Sequence, residues 1–355
     1  MQILVLAGDG IGPEITAATL AVLKAASARF DLDLNLIEDV VGHESLRRHG
    51  MTVQPELLER ARAAQGLILG PTATYDFKDV AKGEINPSMY FRKNFDLFAN
   101  IRPAKTYPGY PGRLGALDLV VVRENTEGFY ADRNMEQGNG EILVTPDVAI
   151  SLRRITRACC TRIARAAFEL AIRRRRHVTL VHKANVLRIG DGLFLEECRK
   201  VATEFPDVAV DDEIVDAMMA HVVRTPQRFD VIVTTNMYGD ILSDLTAELS
   251  GSLGLGGSLN AGADYAMAQA SHGSAPDIAG RNVANPASLI LSAALLLAWH
   301  GRRQGEPRFE KAASAIESAL EAAVAAHEVT RDIGGTLGTN EAGDALAARL
   351  LADPA

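Results

Sequence analysis

Two aspartates in the run TNMYGDILSDL, Asp240 and Asp244, stand four residues apart and so fall on one face of a predicted helix, about one turn from each other. Carboxylates that close repel unless a cation neutralises them, and ligation by oxygen alone is the chemistry of Mg²⁺ or Mn²⁺ rather than Zn²⁺. Asp216, which closes the apolar segment DEIVDAMM, is a third acid of this kind. Three arginines, Arg92, Arg102 and Arg123, lie in the otherwise largely apolar stretches FRKNFDLFANIRPAK and LVVVRENTEGFY. A guanidinium fork binds carboxylate through two parallel bonds and stays charged when partly desolvated, so three that converge at strand ends suit a di- or tricarboxylate. Tyr130, close behind Arg123, is a candidate proton donor, and Lys183 in VTLVHKANVL, beside such cations, a candidate proton shuttle. Taken singly, each has a bland reading: solvated helix carboxylates, ion-paired arginines, an interfacial tyrosine, a lysine snorkelling to water. Together they point to a small anionic substrate.

The elements that must hold these residues alternate. Ile3 to Leu6 is an apolar strand, followed by the loop GDGIGP and a helical pattern from Glu14 to Ala28. Further strands are expected around Leu32 to Ile37, Gly66 to Leu69, Asp118 to Val122, Val178 to Val181 and Asp230 to Thr234. Helices are expected around Pro55 to Ala64, Ser151 to Arg173, Gly192 to Thr203, Ala287 to His300, Arg308 to His327 and Asn340 to Leu351. This is an α/β pattern, and in such sheets ligands bind outside the carboxyl ends of the strands, where the polar clusters stand. The first glycine cluster, Gly8, Gly10 and Gly12, fails the dinucleotide fingerprint because a single residue separates Gly10 from Gly12 and Pro13 follows. It reads as a tight loop and not a pyrophosphate cradle. The Gly- and Ser-rich stretch from Gly251 to Gly262 carries interspersed leucines, which favours a close-approach loop over a linker. The arginine run from Arg173 to Arg176 reads as a solvated helix end.

The chain of 355 residues is long enough for about two domains. Its 37 basic against 45 acidic residues give a formal charge of −8, so no positive field favours nucleic acid or an anionic membrane. No apolar run reaches membrane-spanning length, and the start lacks a basic n-region and a cleavage site, so a cytoplasmic protein is expected. Cys159, Cys160 and Cys198 make neither a disulfide framework nor a metal-ligand spacing.

The stretches GDGIGPE, FDLFANIRPAK, VVVRENTEGFY, HKANVL, VDAMMAHVVRTPQRFDVIVTTNMYGDILSDL and HGSAPDIAGRNVANPASLILSA resemble the β-decarboxylating dehydrogenases of 3-substituted malates, the isocitrate/isopropylmalate dehydrogenase family. The resemblance covers nearly the whole chain. It implies a two-domain α/β fold distinct from the standard Rossmann fold, with residues 1–98 plus 251–355 as the cofactor domain and 99–250 as the substrate, metal and dimerisation domain. It implies malate binding by Arg92, Arg102 and Arg123, with Tyr130 as catalytic acid, Lys183 as general base and Asp216, Asp240 and Asp244 as ligands of Mg²⁺ or Mn²⁺. In the family, Lys183 and Asp216 enter the site from the other subunit, so a homodimer with shared active sites is implied. HGSAPDIAG resembles the loop that holds adenosine, which puts His272, Gly273, Ala275 and Asn285 at the cofactor. Asp277 can accept bonds from a ribose 2′-hydroxyl and repels a 2′-phosphate, and Ile278 follows where NADP forms place a tyrosine, so the cofactor expected is NAD.

The 3-substituent is selected in the family by residues just before Arg92, here Ile85, Asn86, Pro87, Ser88, Met89 and Tyr90. Isopropylmalate enzymes usually show a Glu and a pair of leucines there; Asn86 and Ser88 occupy the spacings of a serine and an asparagine in isocitrate enzymes, in reversed order, while the loop TYDFKDVAKGEINP fits neither pattern well. Overall motif similarity ranks a 3-isopropylmalate-type substrate first and this polar segment ranks isocitrate next, with tartrate and D-malate as further family substrates. Gln269, Ala270 and Ser271 stand where many relatives have Glu-Pro-Val. The rival from another class is a non-catalytic family member that binds a dicarboxylate; the complete Arg, Tyr, Lys and Asp set argues against it.

Overall fold

The structure is a computed structural model describing residues 1–110, 112, 115–130 and 140–352. It is a mixed α/β protein that divides into two compact units, Met1–Phe95 with Thr106–Pro111 and Gly251–Ala355, and Asp96–Lys105 with Gly112–Ser250. In chain order the strands are β1 (Gln2–Leu6), β2 (Asn35–Asp39), β3 (Leu67–Leu69), β4 (Ala99–Lys105), β5 (Asp118–Glu124), β6 (Glu141–Thr145), β7 (Val148–Ser151), β8 (His177–His182), β9 (Ala209–Ile214), β10 (Val231–Thr234), β11 (Leu259–Ala261) and β12 (Ala266–Gln269).

In the first unit the order is β2-β1-β3-β12-β11, parallel throughout except for the antiparallel pair β11 and β12. The GDGIGP loop leaves β1 here. A Cβ on Gly8 would lie 2.2 Å from the Pro71 carbonyl oxygen and one on Gly10 1.9 Å from that of Ser274, with both residues at positive φ. Main chain fills the space a side chain would need at either glycine. Asp9 closes the loop by accepting from the His43 and Ala73 N–H groups at 2.8 and 2.9 Å.

In the second unit the order is β4-β5-β10-β8-β9, with β4 antiparallel to β5 and the others parallel. The continuous apolar strands are buried on both faces, as a parallel sheet requires. Val120, Val122, Val178, Leu180, Val231 and Val233 pack with Ile163, Phe168 and Phe194 from the helices Arg157–Ile172 and Gly190–Ala202. The alternate residues Leu119, Val121, Val181 and Ile232 pack with Met218, Val222 and Leu242 from Val215–Arg224 and Asn236–Ser250. Cys160 and Cys198 are buried among the first set, and the three cysteines form no disulfide.

Several expectations are corrected. The helix expected from Ser151 begins at Arg157, because Thr156 caps it by accepting from Cys159 N–H while Ser151 ends β7. The arginine run is not merely solvated: Arg174 binds Asp230 and Asp118, both at 2.7 Å, tying the helix end to β5 and β10. Among the described residues, no helix is long and apolar enough to cross a membrane.

Candidate active site

The acid face of Asn236–Ser250 meets two guanidinium groups. Register places Asn100 opposite Arg123 and Arg102 opposite Val121, so both arginines come from neighbouring strands of one sheet, beside the helix that leaves β10. Arg123 donates through Nε and Nη2 to the Asn236 side-chain oxygen at 2.9 and 2.7 Å, and through Nη1 to Asp240. Arg102 donates to Ser243 Oγ at 2.7 Å and to Asp244 at 3.2 Å, with Asp240 at 3.5 Å. The close packing needs Gly239, where a Cβ would come within 2.6 Å of Arg123 Cβ.

Burial pushes the Arg123 guanidinium down to about 10; Arg102 works in the same direction, against Asp240, Asp244 and Tyr130. It remains charged at neutral pH. Partial desolvation raises the Asp244 carboxyl from its ordinary range, with Arg102 opposing and Asp240 adding like-charge repulsion, although 57% of the side chain stays exposed to solvent that screens these effects. Tyr130 is 48% exposed and lies within electrostatic reach of Arg123.

Lys183 follows β8 and pairs through Nζ with Asp216, in the first turn of Val215–Arg224. The lysine bond holds the Asp216 carboxyl below its usual range, and 68% of the Asp216 side chain is exposed. Asp216 sits with Lys183 and not with Asp240 and Asp244: among the described residues no three His, Cys, Asp or Glu side chains gather closely enough to hold a metal. Beneath the lysine, the fully buried Asp191 accepts from the Lys183 N–H at 2.6 Å and pairs with Arg153, which also binds Thr235 at 2.9 Å.

In the first unit, Arg92 lies on the helix Pro87–Asn94 and not at a strand end, a correction to its expected setting. Asn86 caps that helix by accepting from Met89 N–H at 3.2 Å. Ser88 and Arg92, one turn apart, both donate to Gln269, at 3.0 and 2.9 Å. The segment after β12 carries the cofactor candidates. His272 Nε2 is buried without a hydrogen-bond partner, and burial lowers the imidazole pKa, keeping it neutral. A Cβ on Gly273 would meet nothing within 4 Å, Ala275 takes a left-handed φ of 38°, and Asp277 is exposed in the short turn Pro276–Ile278. Asn285 donates to Asp332 at 2.9 Å.

Sequence reasoning did not single out Asn236, Asp191 or the polar role of Gln269. Asn236 carries a signal, since it precedes Asp240 and Asp244 in the same four-residue rhythm. Gln269, 177 residues from Arg92, carries none that local spacing reveals.

Comparison with known proteins came out consistently. A family model described as isocitrate/isopropylmalate dehydrogenase matches residues 2–346. A 3-isopropylmalate dehydrogenase of Methanothermobacter thermautotrophicus is 42% identical over 344 residues, 96% of each chain. An isocitrate/homoisocitrate dehydrogenase of Thermus thermophilus is 42% identical over 316 residues, 89% of this chain and 90% of the other. The crystal structure of isocitrate dehydrogenase from Methylococcus capsulatus superposes with a TM-score of 0.86 at 38% identity, covering 99% of both chains.

Proposed function

The chain belongs to the isocitrate/isopropylmalate dehydrogenase family, and from that premise we propose that it is an NAD-linked, divalent-metal-dependent oxidative decarboxylase of a 3-substituted (R)-malate, cytoplasmic and working as a homodimer. Among such malates 3-isopropylmalate ranks first and isocitrate second, following the relatives' names. The observation that carries the reading is the interleaving of Arg102 and Arg123 with Asp240 and Asp244 around one helix face.

The donor set fits Mg²⁺ or Mn²⁺. Asp240 and Asp244 are hard oxygen donors whose mutual repulsion and desolvation a cation would relieve, with Asp216 of a second copy as the further ligand. The unpartnered His272 Nε2, the open space at Gly273 and the exposed Asp277 fit an adenosine moiety and its ribose diol, with Ala275, Ile278 and Asn285 alongside. When bound, the cation supplies Lewis acidity beside the 2-hydroxyl and NAD supplies the hydride acceptor.

This chain's residues do the rest. Arg102 and Arg123 bind and orient the substrate carboxylates through charge-assisted bonds, with Asn236 holding the Arg123 fork in place. Lys183 takes the proton from the 2-hydroxyl oxygen as the hydride leaves C2. The carbon–carbon bond to the β-carboxylate then breaks, CO₂ departs, and the Tyr130 hydroxyl returns a proton to that carbon.

Two features support the homodimer. Every residue of the β6–β7 hairpin is exposed, including Leu143 at 72%, and Asp216 stands apart from the other acids. The test follows NADH absorbance with a panel of 3-substituted malates, with and without Mn²⁺. Metal-dependent NADH formation is expected with at least one, and silence across the panel overturns the reading.

A further inference from the structure

The Gln269 side-chain oxygen, at the end of β12, is where three donors meet: Ser88 Oγ at 3.0 Å, Arg92 Nη2 at 2.9 Å and, more distantly, Asn260 Nδ2 at 3.5 Å. All three are held on a side chain that is itself buried. A guanidinium carries donors and no acceptor, so the Gln269 amide must turn its oxygen, not its nitrogen, toward Arg92. That orientation settles the next bond. A hydroxyl has one proton, and directing it to Gln269 leaves Ser88 only lone pairs for whatever lies on its other side. Ser88 and Arg92 sit on the same face of Pro87–Asn94 and share one acceptor, so a carboxylate held by Arg92 has the Ser88 oxygen as its neighbour.

We propose that Gln269 is a specificity-determining residue, which fixes the Arg92 fork and presents Ser88 as a hydrogen-bond acceptor, so that the substituent beside the Arg92-bound carboxylate is neutral rather than a second carboxylate. This rests on the reading of Arg92 as a substrate ligand. An alkyl group or a hydroxyl donor is accommodated beside an acceptor oxygen, whereas an anion facing Ser88, itself 7% exposed, meets lone pairs in place of the hydroxyl proton. Serving an anion requires Ser88 to give up its bond to Gln269, which sets the discrimination at about tenfold, the worth of one such bond. A neutral amide also accepts from Arg92 without cancelling its charge, as a glutamate at this position does.

The experiment measures kcat and KM for 3-isopropylmalate and isocitrate, with NAD and Mn²⁺, in the wild type and in Gln269→Leu, Gln269→Glu, Ser88→Ala and the Ser88→Ala/Gln269→Leu pair. The wild type is expected to favour 3-isopropylmalate. Gln269→Leu releases the Ser88 proton and raises the isocitrate to isopropylmalate ratio of kcat/KM by about tenfold, through KM. In the Ser88→Ala background the same change leaves that ratio unaltered. Gln269→Glu, which keeps an acceptor oxygen and stands in should the leucine variant not fold, retains the wild-type preference while raising KM for both substrates. A wild type that prefers isocitrate, a ratio unmoved by Gln269→Leu, an equal shift without the Ser88 hydroxyl, or a lost preference in Gln269→Glu overturns the inference. Turnover with an unmoved ratio brings down this inference alone; absence of turnover with any malate brings down the functional reading with it.

Discussion

Asp244 bears two opposed demands. Its carboxyl is pushed up chiefly by burial, and the neighbouring Asp240 adds to the shift against the pull of Arg102 and Arg123. A carboxyl whose folded pKa is raised binds its proton more tightly in the folded chain, so it favours folding at low pH and loses that contribution as pH rises through the raised value. Near neutral pH, without metal, the ionised group therefore weighs against folding, by an amount that solvent screens because 57% of the Asp244 side chain is exposed, and Asp244→Asn removes that small cost. The metal-free variant is expected to melt at a higher temperature than the wild type at neutral pH, with the gap closing as pH falls into the ordinary carboxylate range. Mn²⁺ should raise the melting temperature of the wild type and not that of the variant. Thermal scans at several pH values, with EDTA or Mn²⁺, check both halves; a metal-free variant less stable than the wild type at neutral pH contradicts the account. For chemistry, Lys183→Met and Tyr130→Phe are each expected to lower turnover at least a hundredfold, the usual worth of a positioned acid or base, with unchanged circular dichroism. Wild-type rates in both would remove their assigned roles.

The elements make this residue chemistry depend on close approach. Gly239 lets the helix Asn236–Ser250 lie against β5, with a would-be Cβ 2.6 Å from Arg123 Cβ and 2.7 Å from its Cγ. Neither atom is the far end of a flexible chain, so Gly239→Ala must move helix or strand. We expect a loss of about 1–3 kcal/mol in stability, as for overpacking elsewhere. Turnover should fall as well, because Arg123 shifts off Asn236 and Asp240. Chemical denaturation and NADH assays measure the two losses, and an alanine variant matching the wild type in both refutes the close-packing argument. Legibility of the elements follows the same physics. β5, β8 and β10 read clearly in the sequence because burial on both faces makes them continuous apolar runs. β4, with Arg102 and Pro103 at its middle, hides among polar residues, and β6 and β7 lie wholly exposed with no core to impose a pattern. The four-residue rhythm that marks Asp240 and Asp244 reaches Asn236 too, whereas Asp191 and Gln269 matter through partners brought together only by the fold. The failed glycine fingerprint was informative, since the GDGIGP loop is packed against main chain from Pro71 and Ser274.

For the whole molecule, the decisive question is whether one chain holds a complete site. Lys183 and Asp216 form their own pair, and no third acid joins Asp240 and Asp244 among the described residues. If each site takes Lys183 from one subunit and Tyr130 from the other, two inactive variants repair each other. In a mixed dimer of Lys183→Met and Tyr130→Phe, one site receives both wild-type residues and the other receives neither. Random reassortment of equal amounts makes half the dimers mixed, so refolding the two together should restore about a quarter of wild-type activity, while each alone stays inactive. The exposed apolar residues of the β6–β7 hairpin offer the surface that pairing would cover, with Leu143, Val144 and Val148 at 72%, 51% and 47% exposure. Replacing these three with serine should therefore weaken the dimer in sedimentation velocity and lower the recovered activity in parallel. A chain that carries Lys183 and Tyr130 in the same site gives no recovery on mixing at any ratio, and that result would place catalysis within the single subunit.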